Sequence, residues 1–255
     1  MTMWPTVGAL RVWRRNLESW KQYAPSFFVA QLGEPIFYLL AIGYGVGRYV
    51  TEMGGLPYAV FLAPGIAATT AMNTASFEST FGSFTRMTQQ NTYVAILATP
   101  CSVADIVVGD ILWAATKSVI GVCFVLAVMA LFGLLPSWWA LALVPFGFLI
   151  GLMFACLGLV ATAHAPSYDF FNYYFTLFIS VMFLFSGVFF PLANLPSWAQ
   201  TVAWFLPLTH AVHVARALVA GTPTPALLGD VAWMTAISVA AYVVAERLVR
   251  RRLLV

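Results

Sequence analysis

The side chains that can carry chemistry in this sequence are few, and their spacing excludes several catalytic classes. The chain has two lysines, Lys21 and Lys117, and neither follows a glycine, so no Gly-x-x-x-x-Gly-Lys phosphate loop is present. No His-Glu-x-x-His, Gly-x-Ser-x-Gly or Asp-rich metal motif occurs in it either. The sequence therefore predicts a protein that is not an enzyme and that has no nucleotide-binding site of its own.

Metal and thiol chemistry are also weakly indicated. His210 and His213 are three residues apart and can share a helix face, but two imidazoles without a third ligand rarely hold a metal, and His164 is remote from both. The cysteines are scattered and form no Cys-x-x-Cys pair: Cys101, Cys123 and Cys156. We expect no metal site and no resident cofactor.

The composition indicates that lipid surrounds most of the chain. Of 255 residues, 62% are hydrophobic and 8% are charged, and the mean hydropathy is +0.88. Soluble domains carry about 25% charged residues. A chain with so little charge cannot cover its surface for water, which predicts a membrane protein.

Six apolar runs are each long enough to cross a bilayer, which takes roughly 20 residues of helix. They are Phe27–Tyr49, Tyr58–Phe81, Ile106–Leu134, Trp138–Ala163, Phe170–Phe190 and Leu227–Val249. Their apolar residues are continuous and do not alternate with polar ones, which favours helices over a β-barrel. The sequence thus predicts an all-α polytopic membrane protein of six transmembrane helices, forming one domain over residues 1–255.

The segment before the first apolar run, residues 1–25, has the pattern of an amphipathic helix. An apolar stripe falls on one helical face, with charged residues on the others: Leu10, Trp13, Leu17 and Trp20. It contains no uninterrupted apolar core, which argues against a cleaved signal peptide. We expect a helix that lies in the membrane interface on the cytoplasmic side.

Positive charge is distributed unevenly between the two sides that six spans would define. Arg86 and the basic residues of both terminal segments lie on one side, whereas Arg48 and Arg216 lie on the other. Because cytoplasmic loops of membrane proteins are enriched in Lys and Arg, both termini are predicted to be cytoplasmic. The net charge of +3 follows from this enrichment and does not indicate nucleic-acid binding.

A few charged residues fall within the predicted spans: Glu34, Glu78, Asp110, Lys117 and Asp230. Each is costly in a bilayer, so each has either a proton-relay or substrate role, or a polar partner inside the bundle. Asp110 and Lys117 are two helical turns apart, too far for a direct pair, so each is expected to have another partner. The sequence does not decide among these roles.

Two connections are more than simple loops. In residues 86–105, the short apolar run Tyr93–Ala98 is followed by Pro100, which breaks a helix, and by Ser102, which can cap the next. This predicts either a short cytoplasmic helix that fits a groove of a partner or an interfacial loop.

In the second connection, residues 191–226, Pro191, Pro196 and Pro207 separate short apolar pieces. This predicts either re-entrant helices on the outer face or a plain interfacial loop.

The order of several short motifs resembles the permease subunits of type-2 ABC exporters over nearly the whole chain. The motifs are Glu34-Pro35, Leu97-Ala98-Thr99-Pro100, Gly109-Asp110, Ser186-Gly187-Val188-Phe189-Phe190-Pro191, Leu195-Pro196-Ser197-Trp198, Pro207-Leu208-Thr209-His210 and Arg216. Within that family, the chain is most similar to permeases of rhizobial nodulation-factor exporters. Position 110 is Asp in this chain, whereas many members of that family have Glu there. Both side chains carry a negative charge.

The resemblance implies a half-transporter: two permease chains, taken to be identical, above two separate ATPase subunits that bind ATP-Mg. It implies ATPase coupling through a short helix (Asn91, Thr92, Tyr93, Val94, Ile96 and Leu97) and structural or gating roles for a second set (Glu34, Pro35, Pro191, Pro196, Pro207 and Arg216). Asn172, Tyr173 and Tyr174 are placed on a substrate path. The implied cargo is an amphiphilic glycan such as a lipo-chitin oligosaccharide, exported across the bacterial inner membrane.

Two alternatives remain open at this point. The same architecture can export a drug or another lipid-linked glycan, because the shape of the groove selects the cargo. A proton-driven secondary transporter would need acidic residues near mid-membrane. Glu34 and Asp230 are the plausible ones, and both lie near span ends.

Overall fold

The computed structural model describes residues 5–50 and 52–254, apart from the side chains of Ala30, Leu32 and Glu34. The gating role predicted for Glu34 therefore lies outside the described side chains. The described residues form eleven α-helices: α1 (Gly8–Lys21), α2 (Ala24–Tyr38), α3 (Tyr58–Phe77), α4 (Thr92–Leu97), α5 (Val103–Leu131), α6 (Leu143–His164), α7 (Asp169–Tyr173), α8 (Ser180–Phe185), α9 (Ser197–Phe205), α10 (Pro207–Ala220) and α11 (Leu227–Leu254).

A small antiparallel hairpin lies between the helical region that begins with α2 and helix α3. Strands β1 (Glu52–Met53) and β2 (Leu56–Pro57) pair with Glu52 opposite Pro57. The turn between them consists of Gly54 and Gly55, whose φ angles are +61° and +77°. Such positive φ angles favour glycine, so the Gly-Gly pair fixes this reversal.

Three helical segments within the described residues are long and apolar enough to cross a membrane: Val103–Leu131, Trp138–His164 and Leu227–Leu254. The second consists of a short 3₁₀ segment, Trp138–Ala142, that continues into α6. These segments match the third, fourth and sixth predicted spans within a few residues. The chain is a mostly helical, multi-pass membrane protein.

The other three predicted spans are helical but interrupted by wide π turns. Such turns follow α2 at Leu39–Gly45, follow α3 at Glu78–Gly82, and separate α7 from α8 at Tyr174–Ile179. The fifth span was expected to reach Phe190, but α8 ends at Phe185, shortly before Gly187 adopts a φ of +76°. Six membrane crossings therefore remain a prediction.

The core of the bundle is built around α3, most of whose residues are buried. It packs against α5, α6 and α10, while α5 also packs against α1 and α6 against α11. Small residues allow these close approaches, since a Cβ added at Gly151 of α6 would lie 2.7 Å from the Cα of Ala115 in α5. Close helix packing through small residues is typical of membrane bundles, where lipid supplies no hydrophobic drive between helices.

The predicted breaks at proline are confirmed in residues 191–226. Helix α9 begins after Pro196 and α10 begins at Pro207. The two axes are bent by 89°, and we call the pair Ser197–Ala220 the outer hairpin. Helix α10 ends at Gly221, whose left-handed conformation stops it. Whether the hairpin is re-entrant stays a prediction.

Candidate functional site

The short helix predicted in residues 86–105 is present as α4. It follows Asn91, which has a φ of +50° and turns the chain into the helix. Tyr93 faces inward and is 2% exposed, whereas Val94 is 61% exposed. Ser102 caps α5 reciprocally with Asp105, as the sequence indicated. The helix thus has one face anchored in the bundle and one face free to contact another molecule.

Asp110 of α5 is the point at which α4 joins the bundle. Its Oδ2 accepts hydrogen bonds from Ser83 Oγ at 3.0 Å, from Arg86 Nη2 at 3.2 Å and from the Tyr93 hydroxyl. Its Oδ1 accepts from Asn16 Nδ2 at 2.7 Å. One carboxylate therefore ties together α1, α4, α5 and the segment that follows α3.

Glu78 forms a second junction beside the first. Its carboxylate accepts from Arg86 Nη1 at 2.6 Å and from Lys117 Nζ at 2.7 Å. Arg86 therefore bridges Glu78 and Asp110, and we call these four residues the ion network: Glu78, Arg86, Asp110 and Lys117. Asp110 and Lys117 each have a partner on another segment, as their spacing in the sequence required.

The ion network is mostly buried and borders the inner cavity, which makes its pairing energetically important. The Arg86 and Glu78 side chains are 11% and 9% exposed. Burial lowers the pKa of Arg86, but the carboxylates of Asp110 and Glu78 outweigh it and raise that pKa above its ordinary value. Burial and the adjacent Asp110 carboxylate raise the pKa of Tyr93, so its hydroxyl keeps the proton that it donates to Asp110.

Helix α1 is fastened to α5 along its length. Asp105 Oδ1 accepts from the backbone N–H of Thr6 at 2.6 Å, and Trp13 Nε1 donates to Thr116 Oγ1 at 3.0 Å. Arg15 Nη2 donates to Thr92 Oγ1 of α4 at 3.2 Å. A motion of α4 would therefore reach α1 both through Arg15 and through Asp110.

The close contacts around Gly109 explain why the Gly109-Asp110 motif has a glycine at its first position. A Cβ at this position would lie 2.6 Å from Val12 Cβ and 2.8 Å from the carbonyl oxygen of Ala9. A larger residue would hold α1 away from α5 and stretch the Asn16–Asp110 hydrogen bond. Gly109 is needed so that α1 can contact α5. Asp110, the next residue, accepts the hydrogen bond from Asn16 of α1.

The face of α1 that packs against protein is not the predicted apolar stripe. Its buried residues are Gly8, Ala9, Val12 and Asn16. Within the stripe, Leu10 is exposed and Trp13, Leu17 and Trp20 are half-buried. Small residues face α5 because they permit close contact, which leaves the stripe partly available to lipid. The interfacial placement of α1 stays a prediction.

Of the predicted gating residues, the three prolines Pro191, Pro196 and Pro207 lie at the starts of helical elements. Pro191 precedes a 3₁₀ turn at Leu192–Asn194, and Pro35 lies inside α2. Arg216 Nη2 donates to the carbonyl of Gly187 at 2.8 Å, and its guanidinium lies 3.8 Å from the centre of the Phe61 ring. Arg216 therefore joins α10 to α3 and to the end of the fifth predicted span. No contact tests whether these residues gate a path.

Sequence reasoning missed a polar cluster beside the outer hairpin. His210 Nδ1 and His213 Nδ1 lie 2.6 and 2.8 Å from the two carboxylate oxygens of Asp230. His210 Nε2 donates to the carbonyl of Trp204 at 2.8 Å. The spacing of the two histidines placed them on one helix face, but no local signal pointed to Asp230 as their shared partner. The described residues contain no group of three or more His, Cys, Asp or Glu side chains arranged to hold a metal.

Two cavities open near the ion network. The first, here called the inner cavity, has a volume of about 900 Å³ and lies between α1, the start of α2, the end of α3 and α5. The second, the deep cavity, measures about 310 Å³ and shares Phe27, Phe77 and Lys117 with the first. The residues predicted to lie on a substrate path, Asn172, Tyr173 and Tyr174, line neither cavity. Their substrate role remains a prediction.

The described residues form a bundle of apolar helices that carries one short helix, α4, anchored by polar contacts at its end. Residues 9–219 match the family described as ABC-2 type transporter. The match covers most of the chain, so the chain belongs to this family. Members of this family are transport permease subunits.

Individual relatives are similar over nearly the full length. Nodulation protein J of Rhizobium leguminosarum bv. trifolii is 40% identical over 245 residues, covering 96% of this chain and 94% of that protein. Nodulation protein J of Rhizobium meliloti (strain 1021) is 37% identical over 245 residues, with coverage of 96% and 94%. That of Neorhizobium galegae is 36% identical over 243 residues, with coverage of 95% and 92%. No solved structure matches the chain significantly.

Proposed function

We propose that this chain is the permease subunit of an ATP-driven exporter that moves an amphiphilic glycan of the lipo-chitin oligosaccharide type out across the bacterial inner membrane. The family membership supports a permease. The name of the relatives, nodulation protein J, and the resemblance described above support the class of cargo. ATP-Mg is bound and hydrolysed by a separate subunit, present in two copies, and two copies of this chain form the conduit.

The observation that carries the proposal is the attachment of α4. Val94 faces outward while the hydroxyl of Tyr93, one residue earlier, bonds to Asp110 inside the bundle. A force on the exposed face of α4 is thereby transmitted to α1, α5 and the end of α3 without a flexible joint. This is the arrangement expected of a helix that couples an ATPase to a membrane conduit.

The mechanism requires that ATP favour one conformation of the assembly. ATP binding brings the two partner subunits together, which displaces α4 and, through Asp110, the inner ends of α1 and α5. A ligand shifts such an equilibrium only by its differential affinity for the two states. The α4 end must then face the cytoplasm, with both termini on that side.

A substitution on the exposed face of α4 tests the proposal. Val94→Asp places a charge where the partner would dock and leaves Tyr93 in place. We expect it to abolish ATPase co-purification with the tagged chain and ATP-dependent uptake of radiolabelled lipo-chitotetraose into inverted membrane vesicles. The matched control Val94→Thr has the same shape without the charge and is expected to retain both.

Two results would contradict the proposal. One is normal ATP-dependent uptake by vesicles that carry Val94→Asp, because the exposed face of α4 would then not be the docking surface. The other is uphill transport by the purified chain alone in vesicles without an ATPase. Uptake that survives ATP depletion and stops with an uncoupler would indicate the proton-driven alternative.

A further inference from the structure

The inner and deep cavities lie next to each other within a single copy of the chain. They share Phe27, Phe77 and Lys117, so they adjoin along these three side chains. The deep cavity is also lined by Pro35 and Thr70, which lie well inside the first and second predicted spans. The two cavities therefore lead from the α4 end of the bundle toward membrane depth.

Aromatic rings form much of the wall of the inner cavity: Trp20, Tyr23, Phe27, Phe77, Phe81 and Trp113. Trp20 packs edge-on against Trp113 with their ring centres 5.7 Å apart, which fixes the orientation of both rings. Flat aromatic faces pack well against the C–H faces of saccharide rings, while leaving the edges of the sugar free for hydrogen bonds. The wall is therefore suited to a ligand that has both apolar faces and polar edges.

The remaining lining is rich in uncharged hydrogen-bonding groups. The inner cavity has several: Ser19, Gln22, Ser26, Thr85, Gln90 and Thr92. The deep cavity continues the pattern with Gln31, Asn73 and Thr74. Amides and hydroxyls both donate and accept, as the hydroxyl and acetamide groups of a glycan do. Gln31 Nε2 donates to Thr74 Oγ1 at 2.7 Å, which leaves Asn73 as the deep-cavity amide that a polar ligand or water can satisfy.

One cation of the wall has only neutral partners. The Arg15 guanidinium donates to Asn16 Oδ1 and Thr92 Oγ1, and Arg15 forms no ion pair within the described residues. A cation without a carboxylate partner in this wall favours a ligand rich in oxygen acceptors.

We infer that the inner and deep cavities are the binding groove for the saccharide end of an amphiphile, entered from the α4 end within one copy of the chain. The assignment rests on the proposed function for the identity of the cargo. The deep cavity combines the rings of Phe27, Phe77 and Phe175 with amides and hydroxyls, which suits the apolar faces and polar edges of a sugar. An anionic phospholipid is the less favoured occupant, because two of the three cations in the lining, Arg86 and Lys117, are already paired with carboxylates.

Binding to the full-length chain without any ATPase tests the groove. The chain is purified into phosphatidylcholine nanodiscs, and the affinity for lipo-chitotetraose is measured by titration calorimetry, with acyl-free chitotetraose as competitor. We expect Arg15→Gln and Asn73→Leu each to weaken binding about tenfold. Arg11→Gln, an exposed change on the same helix, is expected to leave the affinity unchanged.

Two outcomes would overturn the inference. The first is wild-type affinity in Asn73→Leu together with Arg15→Gln, each shown to be folded by its elution profile and thermal unfolding. The second is displacement of the probe by phosphatidylglycerol but not by acyl-free chitotetraose, which would make the groove a lipid site. Val94→Asp separates this inference from the proposed function, because it should lose ATPase coupling and still bind the probe.

Discussion

The two ends of the bundle are held together by different kinds of contact. At the α4 end, the ion network joins segments far apart in the chain, with Asp110 bonded to Asn16 and Ser83 across 94 and 27 residues of sequence. At the other end, the outer hairpin is shaped locally by Pro196, Pro207 and Gly221. One end is fixed by a network of four charged side chains, whereas the other is shaped by the backbone preferences of a few residues and carries the His210–Asp230 pair beside it.

This difference indicates how the two ends should move. Buried ion pairs make the α4 end a single block, because separating Arg86 from either carboxylate would leave a charge without a partner. The outer hairpin is tied by contacts such as that of Arg216 with the Gly187 carbonyl, in which the cation has a neutral partner. We expect the α4 end to transmit motion as a rigid unit and the hairpin end to yield to it.

The largest effect is expected from breaking the ion network. Arg86→Gln removes the cation shared by Glu78 and Asp110 and leaves a buried carboxylate without its charge partner. We expect a loss of about 3–5 kcal/mol in the free energy of unfolding, seen as a large fall in the thermal unfolding temperature of the purified chain.

Lys21→Gln serves as the control, because Lys21 pairs with Glu18 on the surface and its side chain is 56% exposed. That variant should unfold at the wild-type temperature. Equal unfolding temperatures for Arg86→Gln and wild type would show that the ion network is not what holds the α4 end together.

A smaller loss is expected where α1 approaches α5. Gly109→Ala places a methyl group 2.6 Å from Val12 Cβ, so α1 must move outward. Overpacking of this kind costs about 1–3 kcal/mol. We expect lower thermal stability and reduced export.

Gly229→Ala is the matched control, since a Cβ there would meet nothing within 4 Å. It should export like the wild type and be at least as stable, because alanine favours a helix over glycine. If the two alanine variants are equally stable, the contact between α1 and α5 is looser than described.

The smallest effects are expected beside the outer hairpin, where two histidines share Asp230. His213 is 64% exposed, whereas His210 is 6% exposed and also donates to the Trp204 carbonyl. We expect His210→Gln to cost about 0.5–1.5 kcal/mol, the net contribution of a buried hydrogen bond. His213→Gln should cost about 0–1 kcal/mol.

The thermal unfolding temperatures of His210→Gln and His213→Gln, measured in parallel, test this difference. Equal losses would mean that water reaches His210 as freely as His213. In that case the hairpin end would be more open than the structure shows.

The sequence predicted those features that depend on local chemistry. Breaks at Pro196 and Pro207, the cap at Ser102 and the short helix after Asn91 all follow from backbone preferences of single residues. The long apolar helices α5, α6 and α11 follow from composition. These parts of the fold required no knowledge of packing.

The partners of the charged residues could not be predicted in the same way. Spacing showed that Asp110 and Lys117 need other partners, but not that Arg86 and Glu78 supply them, because the pairing depends on how α3 and α5 are aligned. Asn16 was overlooked for a related reason. It lies off the apolar stripe of α1, and only the packing of α1 against α5 at Gly109 brings it to Asp110.

The central claim is that α4 drives the bundle through the bond between Tyr93 and Asp110. Tyr93→Phe removes only the hydroxyl, so the ATPase should still bind the exposed face of α4. The most direct measurement is the number of lipo-chitotetraose molecules exported per ATP hydrolysed in reconstituted vesicles. We predict that Tyr93→Phe retains ATP hydrolysis but exports several-fold less cargo per ATP, whereas an unchanged ratio would contradict the claim.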